Sequence, residues 1–241
     1  METPYYHPQN LTELHDLLRG FRPHSGLGWW YRGHADRSWA LIPKAGRHEF
    51  NLPSISHIGR FRYWCQQAVA YLPGLPENEW ERLALAQHHG LATWLLDWSS
   101  NPLVALFFAC VEHPGKDGVL YFHVPRMFIE PSVLSIETKD VPGYGFSARS
   151  ISTRILNQRG CFTVHSPPDL PIICQEHSHL NGTPDLAAAI ISAQLKPDVL
   201  AMLNDYGINR VTLFPDLDGL SGHINWETTR MLARKVTNER S

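Results

Sequence analysis

The sequence predicts an α+β fold: a single domain with a mixed β-sheet core and flanking helices. Three observations point there. Strand-like and helix-like segments are intermixed without a steady β-α-β alternation, which argues against a doubly wound parallel sheet. The 241 residues contain no internal repeat, low-complexity tract or linker to mark a second domain. Hydrophobic residues make up 43% of the chain, enough for a sizeable core.

In chain order, leucines at 11, 14, 17 and 18 fall on one face and predict a helix over 10–20. Asn10 is placed to cap it, with Glu13 three residues on and Gly20 closing the end. Trp29–Gly33 reads as a strand, and Ser38–Pro43 as an extended piece stopped by proline. Helices follow over Ile58–Tyr71 and Glu77–His88, the second turning Trp80, Leu83 and Leu85 to the core. Thr93–Asp97 reads as a short buried strand. Ser99 or Ser100 then caps a helix from Pro102 whose residues Leu103–Cys110 are apolar all round, hence buried.

Gly118–Val124 is a strand closed by Pro125, and 126–150 a crossing loop with short pieces. Gly160–His165 reads as a strand, Ala187–Gln194 as a helix and Lys196–Gly207 as a helix ending at glycine. Thr212–Phe214 forms a last strand, and the polar tail after Ala233 frays.

Composition narrows the function. The formal net charge is −2, so nucleic-acid binding would need a local basic patch. The chain has eight tryptophans, eight tyrosines and ten phenylalanines, ample surface for stacking on a base. Cys65, Cys110, Cys161 and Cys174 form no C-x-x-C pair and read as free buried thiols of a reducing compartment. Cys174, His177 and His179 cluster loosely without a second ligand pair, and no metal site is expected. No basic-then-apolar leader and no run long enough to span a membrane is visible, so a cytoplasmic protein with no membrane partner is expected. The signatures of Walker ATPases, kinases, dinucleotide-binding dehydrogenases and serine hydrolases are missing.

Four constellations could carry chemistry. Arg32 offers a planar fork suited to phosphate, and Gly33 would admit a ligand close to the backbone; the alternative is a surface arginine on a sheet edge. In Gln87–Pro102, His88 and His89 end a helix, and Thr93 and Asp97 share a face. Asp97 is costly to bury unpaired, and reads as a cap for the next helix, as part of a site, or as both. Arg154–Thr163 sets two arginines and two amides before a strand, fit for a phosphate or a base edge, or for a solvated turn. Asp216 and Asp218 before Gly219 suggest a cation loop with ligands missing, or more simply a turn satisfying its own backbone.

Taken together, these segments resemble the FRG domain family. Tyr31-Arg32-Gly33 matches the Phe/Tyr-Arg-Gly motif that names it, and Trp39-Ala40-Leu41-Ile42-Pro43-Lys44 with Arg47 matches its W-x-L-x-P segment. Gln87-His88-His89-Gly90, Leu95–Trp98 and Ala105–Ala109 resemble its central motif. Gln158–Thr163 and Phe214–Leu220 resemble its late motifs. The resemblance implies an N-terminal helical segment over 1–24, an FRG domain over 25–221 and a C-terminal tail over 222–241. Trp94 stands where the family usually carries arginine, which alters any grip that arginine gives.

The motif order is in turn similar to that of ADP-ribosyltransferases, which implies NAD as substrate and an ADP-ribosyltransferase-like fold. On that resemblance Arg32, Asp97 and Gln158 are the catalytic candidates. Tyr31, Arg32, Gly33, His88, His89, Thr93, Trp98 and Ser99 would bind NAD: Arg32 on the diphosphate, Tyr31 and Trp98 on its rings, His88 or His89 on ribose. The late glutamate of such enzymes is absent, with Gln158 or Gly160 in its place. Gln158 could orient a ribose hydroxyl but not act as a base, which leaves Asp97 to stabilise the oxocarbenium-like charge. The implied setting is a toxin or phage-defence effector acting on RNA or another nucleic acid, with a possible antitoxin. The alternatives are a non-catalytic FRG module binding a nucleotide or nucleic acid, and a nuclease using Asp97, Asp216 and Asp218 on a metal.

Overall fold

A computed structural model describes residues 1–21, 28–50, 54–72, 74–148, 156–176 and 184–238. The strands are β1 (Tyr5–Tyr6), β2 (Trp30–His34), β3 (Leu95–Ser99), β4 (Gly118–His123), β5 (Val141–Phe146), β6 (Gly160–Ser166) and β7 (Leu186–Ile191). The helices are α1 (Leu11–Gly20), α2 (His57–Ala68), α3 (Glu79–His88), α4 (Pro102–Cys110), α5 (Lys196–Asp205), α6 (Arg210–Leu213) and α7 (Leu217–Asn238). One mixed sheet of order β1-β7-β4-β2-β3-β6-β5 carries them, antiparallel throughout except for the parallel β1–β7 edge. The predicted α+β class and the single domain are observed.

The sheet is weakest at its centre. β2 pairs with β4 along its whole length, from Trp30↔His123 to His34↔Val119, and β3 pairs with β6 from Leu95↔Val164 to Ser99↔Gly160. β2 and β3, by contrast, are in register only at Tyr31↔Ser99. Beyond that pair the two strands part, and the sheet opens between Arg32 and Asp97.

Helix α4 lies across this centre because two glycines let it. A Cβ on Gly33 would overlap the Ala105 carbonyl, and one on Gly118 the Ala109 carbonyl. Its residues Val104–Phe107, Ala109 and Cys110 are buried, as the all-apolar run predicts. The cap is Asn101, whose Oδ1 accepts from the Leu103 amide at 3.0 Å. It is neither Ser99 nor Ser100: Ser99 Oγ donates to the Gln158 carbonyl at 2.7 Å, and the Ser100 amide donates to the Arg159 carbonyl.

Helix α1 starts as predicted, with the Asn10 side chain accepting from the Glu13 amide. Gly207, at φ +77°, follows α5 as the predicted stop. Several expectations are corrected. Residues 186–191 are a strand, not a helix: the alanines favour helix, but the segment sits between β1 and β4 with every residue buried, and burial on both faces outweighs propensity. The Thr212 segment is the helix α6, because Asn209 and Thr212 close a reciprocal cap there. The 126–150 crossing contains β5, its alternation hidden by Gly143 and Gly145. Ser38–Pro43 is turn, organised by Asp36, which accepts from the Ser38 amide and hydroxyl and pairs with Lys116. The C-terminal stretch is helical to Asn238.

Candidate functional site

Where β2 and β3 part, a cleft of about 340 Å³ opens beside α3 and α4. That volume falls at the lower end of ligand-binding clefts. Arg32 occupies the opening. Its Nη1 donates to the Asp97 carbonyl at 2.7 Å and lies 3.6 Å from the Asp97 carboxylate, and its Nε donates to His34 Nε2 at 2.9 Å. The strand separation makes this possible: the Asp97 carbonyl, unpaired toward β2, takes a guanidinium instead. Among the described residues Arg32 makes its hydrogen bonds through Nε and Nη1, and none through Nη2. β2 is an inner strand, so Arg32 is not a sheet-edge surface residue.

Burial pulls the Arg32 pKa down and the Asp97 carboxylate opposes it. A guanidinium starts so high that it stays charged. His34 is held neutral: burial, with Arg32 beside it, takes its pKa to about 3. Neutral His34 can therefore accept the Arg32 N–H rather than repel it.

Asp97 is oriented from its other side. Gln87 Nε2 donates to Asp97 Oδ1 at 2.5 Å, while Gln87 Oε1 accepts the Thr93 hydroxyl. Thr93 Oγ1 in turn accepts from the Leu95 amide. The threonine fixes which end of the Gln87 amide faces the carboxylate. The carboxylate thus lies between Gln87 and Arg32, and its side chain is 59% exposed to the cleft.

The other predicted residues divide. Gly33, His88, Ser99 and Gln158 line the cleft. Gly33, however, admits helix α4 to the backbone. Gln158 Nε2 donates to the Leu213 carbonyl at 3.2 Å, anchoring α6. Tyr31 and Trp98 touch the cleft but are 3% exposed, each engaged elsewhere: the Tyr31 hydroxyl donates to the Phe21 carbonyl, and Trp98 Nε1 to Thr163 Oγ1. His89 is exposed at the end of α3 and outside the cleft lining. Thr93 is buried and acts through Gln87.

Trp94 is 1% exposed, packed on Phe61 and His57. Asp216 accepts from the Gly219 amide, the turn reading of that segment. All four cysteines are free, and burial drives the Cys110 thiol up to about 12 and Cys161 well above its ordinary value, away from the reactive thiolate. Arg154, His177 and His179 lie outside the described residues. Among those described, no three histidine, cysteine or acidic side chains group as a metal site, and no helix is long and apolar enough to cross a membrane.

The cleft lining also includes residues to which the sequence analysis gives no site role, among them Gln87, Trp39, Phe108 and Glu112. Gln87 is within reach of sequence reasoning, because an amide beside two histidines at a helix end, ten residues before a lone acid, is a natural partner for it. Glu112 gave no signal; it reaches the cleft only because α4 ends there.

Residues 28–118 match the sequence model of the FRG domain, a stretch that runs from the strand bearing Arg32 to the start of β4. No curated protein and no solved structure matches the chain.

Proposed function

The chain carries an FRG domain, and on that premise we propose that its cleft binds NAD and transfers ADP-ribose from it. The observation that carries this reading is the pairing of a partly engaged arginine with an exposed carboxylate at one opening. Arg32 Nη2 supplies donors for a diphosphate oxygen, and Asp97 supplies fixed negative charge a few ångströms away. As the bond between ribose C1′ and nicotinamide breaks, its electron pair leaves with nicotinamide and positive charge develops on the sugar. A preorganised carboxylate stabilises that charge. An acceptor oxygen then bonds to C1′ and loses its proton. Glu112, exposed on the cleft wall, is the second carboxylate within the lining and the candidate to take that proton. An RNA or other nucleic-acid acceptor, and a toxin or phage-defence setting with a neutralising antitoxin, follow from the family resemblance.

The test is to incubate the purified protein with adenylate-labelled NAD and total cellular RNA or protein. Label transferred to a macromolecule, and lost with Arg32→Ala in a folded protein, supports the enzyme. Label that stays on intact NAD overturns it.

One observation favours a second reading, a non-catalytic nucleotide-binding module. Gln158, which with Gly160 is a candidate for the position of the absent glutamate, uses its side-chain amide to hold Leu213, and its backbone carbonyl accepts from Ser99. Saturable NAD binding without nicotinamide release would select this reading.

A further inference from the structure

A second cavity, of about 370 Å³, opens beside β4, β5 and β6 among His123, His165, the Arg126–Asp185 pair and the segment 170–173. Its mouth and its floor differ in kind. The mouth is apolar and wet: Met127 is 54% exposed, Leu170 57% and Ile173 69%, and all three line the one cavity. Exposed apolar side chains that converge on a concavity are a mark of a binding surface. The floor is polar and dry, with His123, His165 and Asp185 each 2–3% exposed.

The floor's hydrogen bonds define what it offers. Trp98 Nε1 can only donate, so Thr163 Oγ1, at 2.9 Å, accepts from it. The Thr163 hydroxyl must then place its own hydrogen, and His165 Nε2 lies 2.8 Å away. Nε2 is therefore the acceptor, and the hydrogen of the neutral ring sits on Nδ1. Burial keeps the ring neutral, with its pKa near 3. His165 lines the cavity, and its side-chain hydrogen bond to Thr163 uses Nε2, so among the described residues Nδ1–H enters no side-chain hydrogen bond. Arg126, at the mouth with 40% of its side chain exposed, spends Nε on Asp185 Oδ2 and Nη2 on the Glu176 carbonyl, both at 2.6 Å, and its Nη1 has no partner among the described residues. The cavity thus presents one donor on its floor, from His165, and one at its mouth, from Arg126, while Asp185 pairs with the guanidinium and Asp140 adds a second carboxylate to the lining.

We propose that this cavity is a second ligand site, distinct from the cleft, for a small uncharged molecule with an apolar body and a carbonyl head. The carbonyl oxygen meets the donors of His165 and Arg126, and the body lies against Leu170 and Ile173. A carboxylate head is disfavoured because Asp185 already neutralises Arg126. The Trp98 indole reports occupancy, since it ends the chain through Thr163 to His165 and lies 5.1 Å from the His123 ring.

The experiment titrates cyclohexanone into the nitrogen-15-labelled full chain and follows the Trp98 indole N–H signal, assigned with Trp98→Phe. The expected result is a saturable shift. It weakens at least tenfold in Ile173→Asp, a change at an exposed position that leaves the fold intact, and persists in Arg32→Ala. Cyclohexanecarboxylate is expected to bind more weakly than cyclohexanone. No saturable shift at millimolar probe, a shift unchanged in Ile173→Asp, a shift lost with Arg32→Ala, or tighter binding of the carboxylate would each overturn the proposal.

Discussion

Arg32 and Asp97 meet twice where β2 and β3 part: in a hydrogen bond to the Asp97 carbonyl at 2.7 Å, and in an ion pair with its carboxylate at 3.6 Å. The first contact replaces a missing strand–strand hydrogen bond and is structural. The second leaves a carboxylate in the cleft with its charge balanced but its surface exposed. A residue can thus serve fold and site through different atoms, and substitutions can separate the two.

Asp97→Asn keeps the backbone carbonyl bond to Arg32 and removes only the charge. Stability should change by less than about 1 kcal/mol, since an exposed pair contributes little. If the carboxylate stabilises the sugar cation, nicotinamide release should fall by about 10²–10³-fold while NAD affinity changes much less. Parallel denaturation and steady-state kinetics check both.

Gly33→Ala should be costly and Gly20→Ala favourable. The first drives a methyl into the α4 backbone, which cannot yield as a flexible side chain would, and should cost about 2–3 kcal/mol. The second adds a methyl in open space on a helix and should gain about 0.5–1 kcal/mol. Urea unfolding of both variants is the measurement. A Gly33→Ala protein as stable as its parent would mean that α4 does not rest on β2.

Asn101→Ala should cost about 1 kcal/mol, and Ser100→Ala less than about 0.5. Only Asn101 accepts from the α4 amides, while Ser100 is exposed. Thermal melts of the two proteins distinguish the caps.

The chain should lose stability in mild acid. His34 and His165 both hold folded pKa values near 3, against about 6.5 when unfolded. Between these limits the unfolded state binds more protons, so stability is complete above pH 6.5 and falls as pH drops toward 3. Each histidine contributes a slope of up to about 1.4 kcal/mol per pH unit. Urea unfolding from pH 7 to 4 should show it, and His165→Phe should reduce it, with His34 and His57, whose pKa burial also lowers, supplying the rest.

What the sequence revealed follows from where its physics is local. The leucine spacing of α1, the all-apolar α4 and the Gly118–His123 strand are each set by their own residues. The Ala187–Ile191 strand was misread because nothing local says that β1 and β4 will flank it; alanine favours a strand here only through burial on both sides. Arg32 and Asp97 each stand out in the sequence as polar residues in apolar surroundings, but their pairing depends on where β2 and β3 part. The Gln87–Thr93 brace was not legible, since it depends on how α3 turns into β3 at Gly90, where φ is +91°. Tyr31 and Trp98 read as ligand-stacking rings because aromatic identity does not reveal which face of a strand is filled.

The most direct test of the central claim, that the Arg32–Asp97 opening is a site for cleaving NAD, is nicotinamide release measured by chromatography with purified protein and total cellular RNA. The account predicts time-dependent release that is abolished in Arg32→Ala and falls by about 10²–10³-fold in Asp97→Asn. NAD left intact by the wild-type protein, or release undiminished in a folded Asp97→Asn protein, would contradict it.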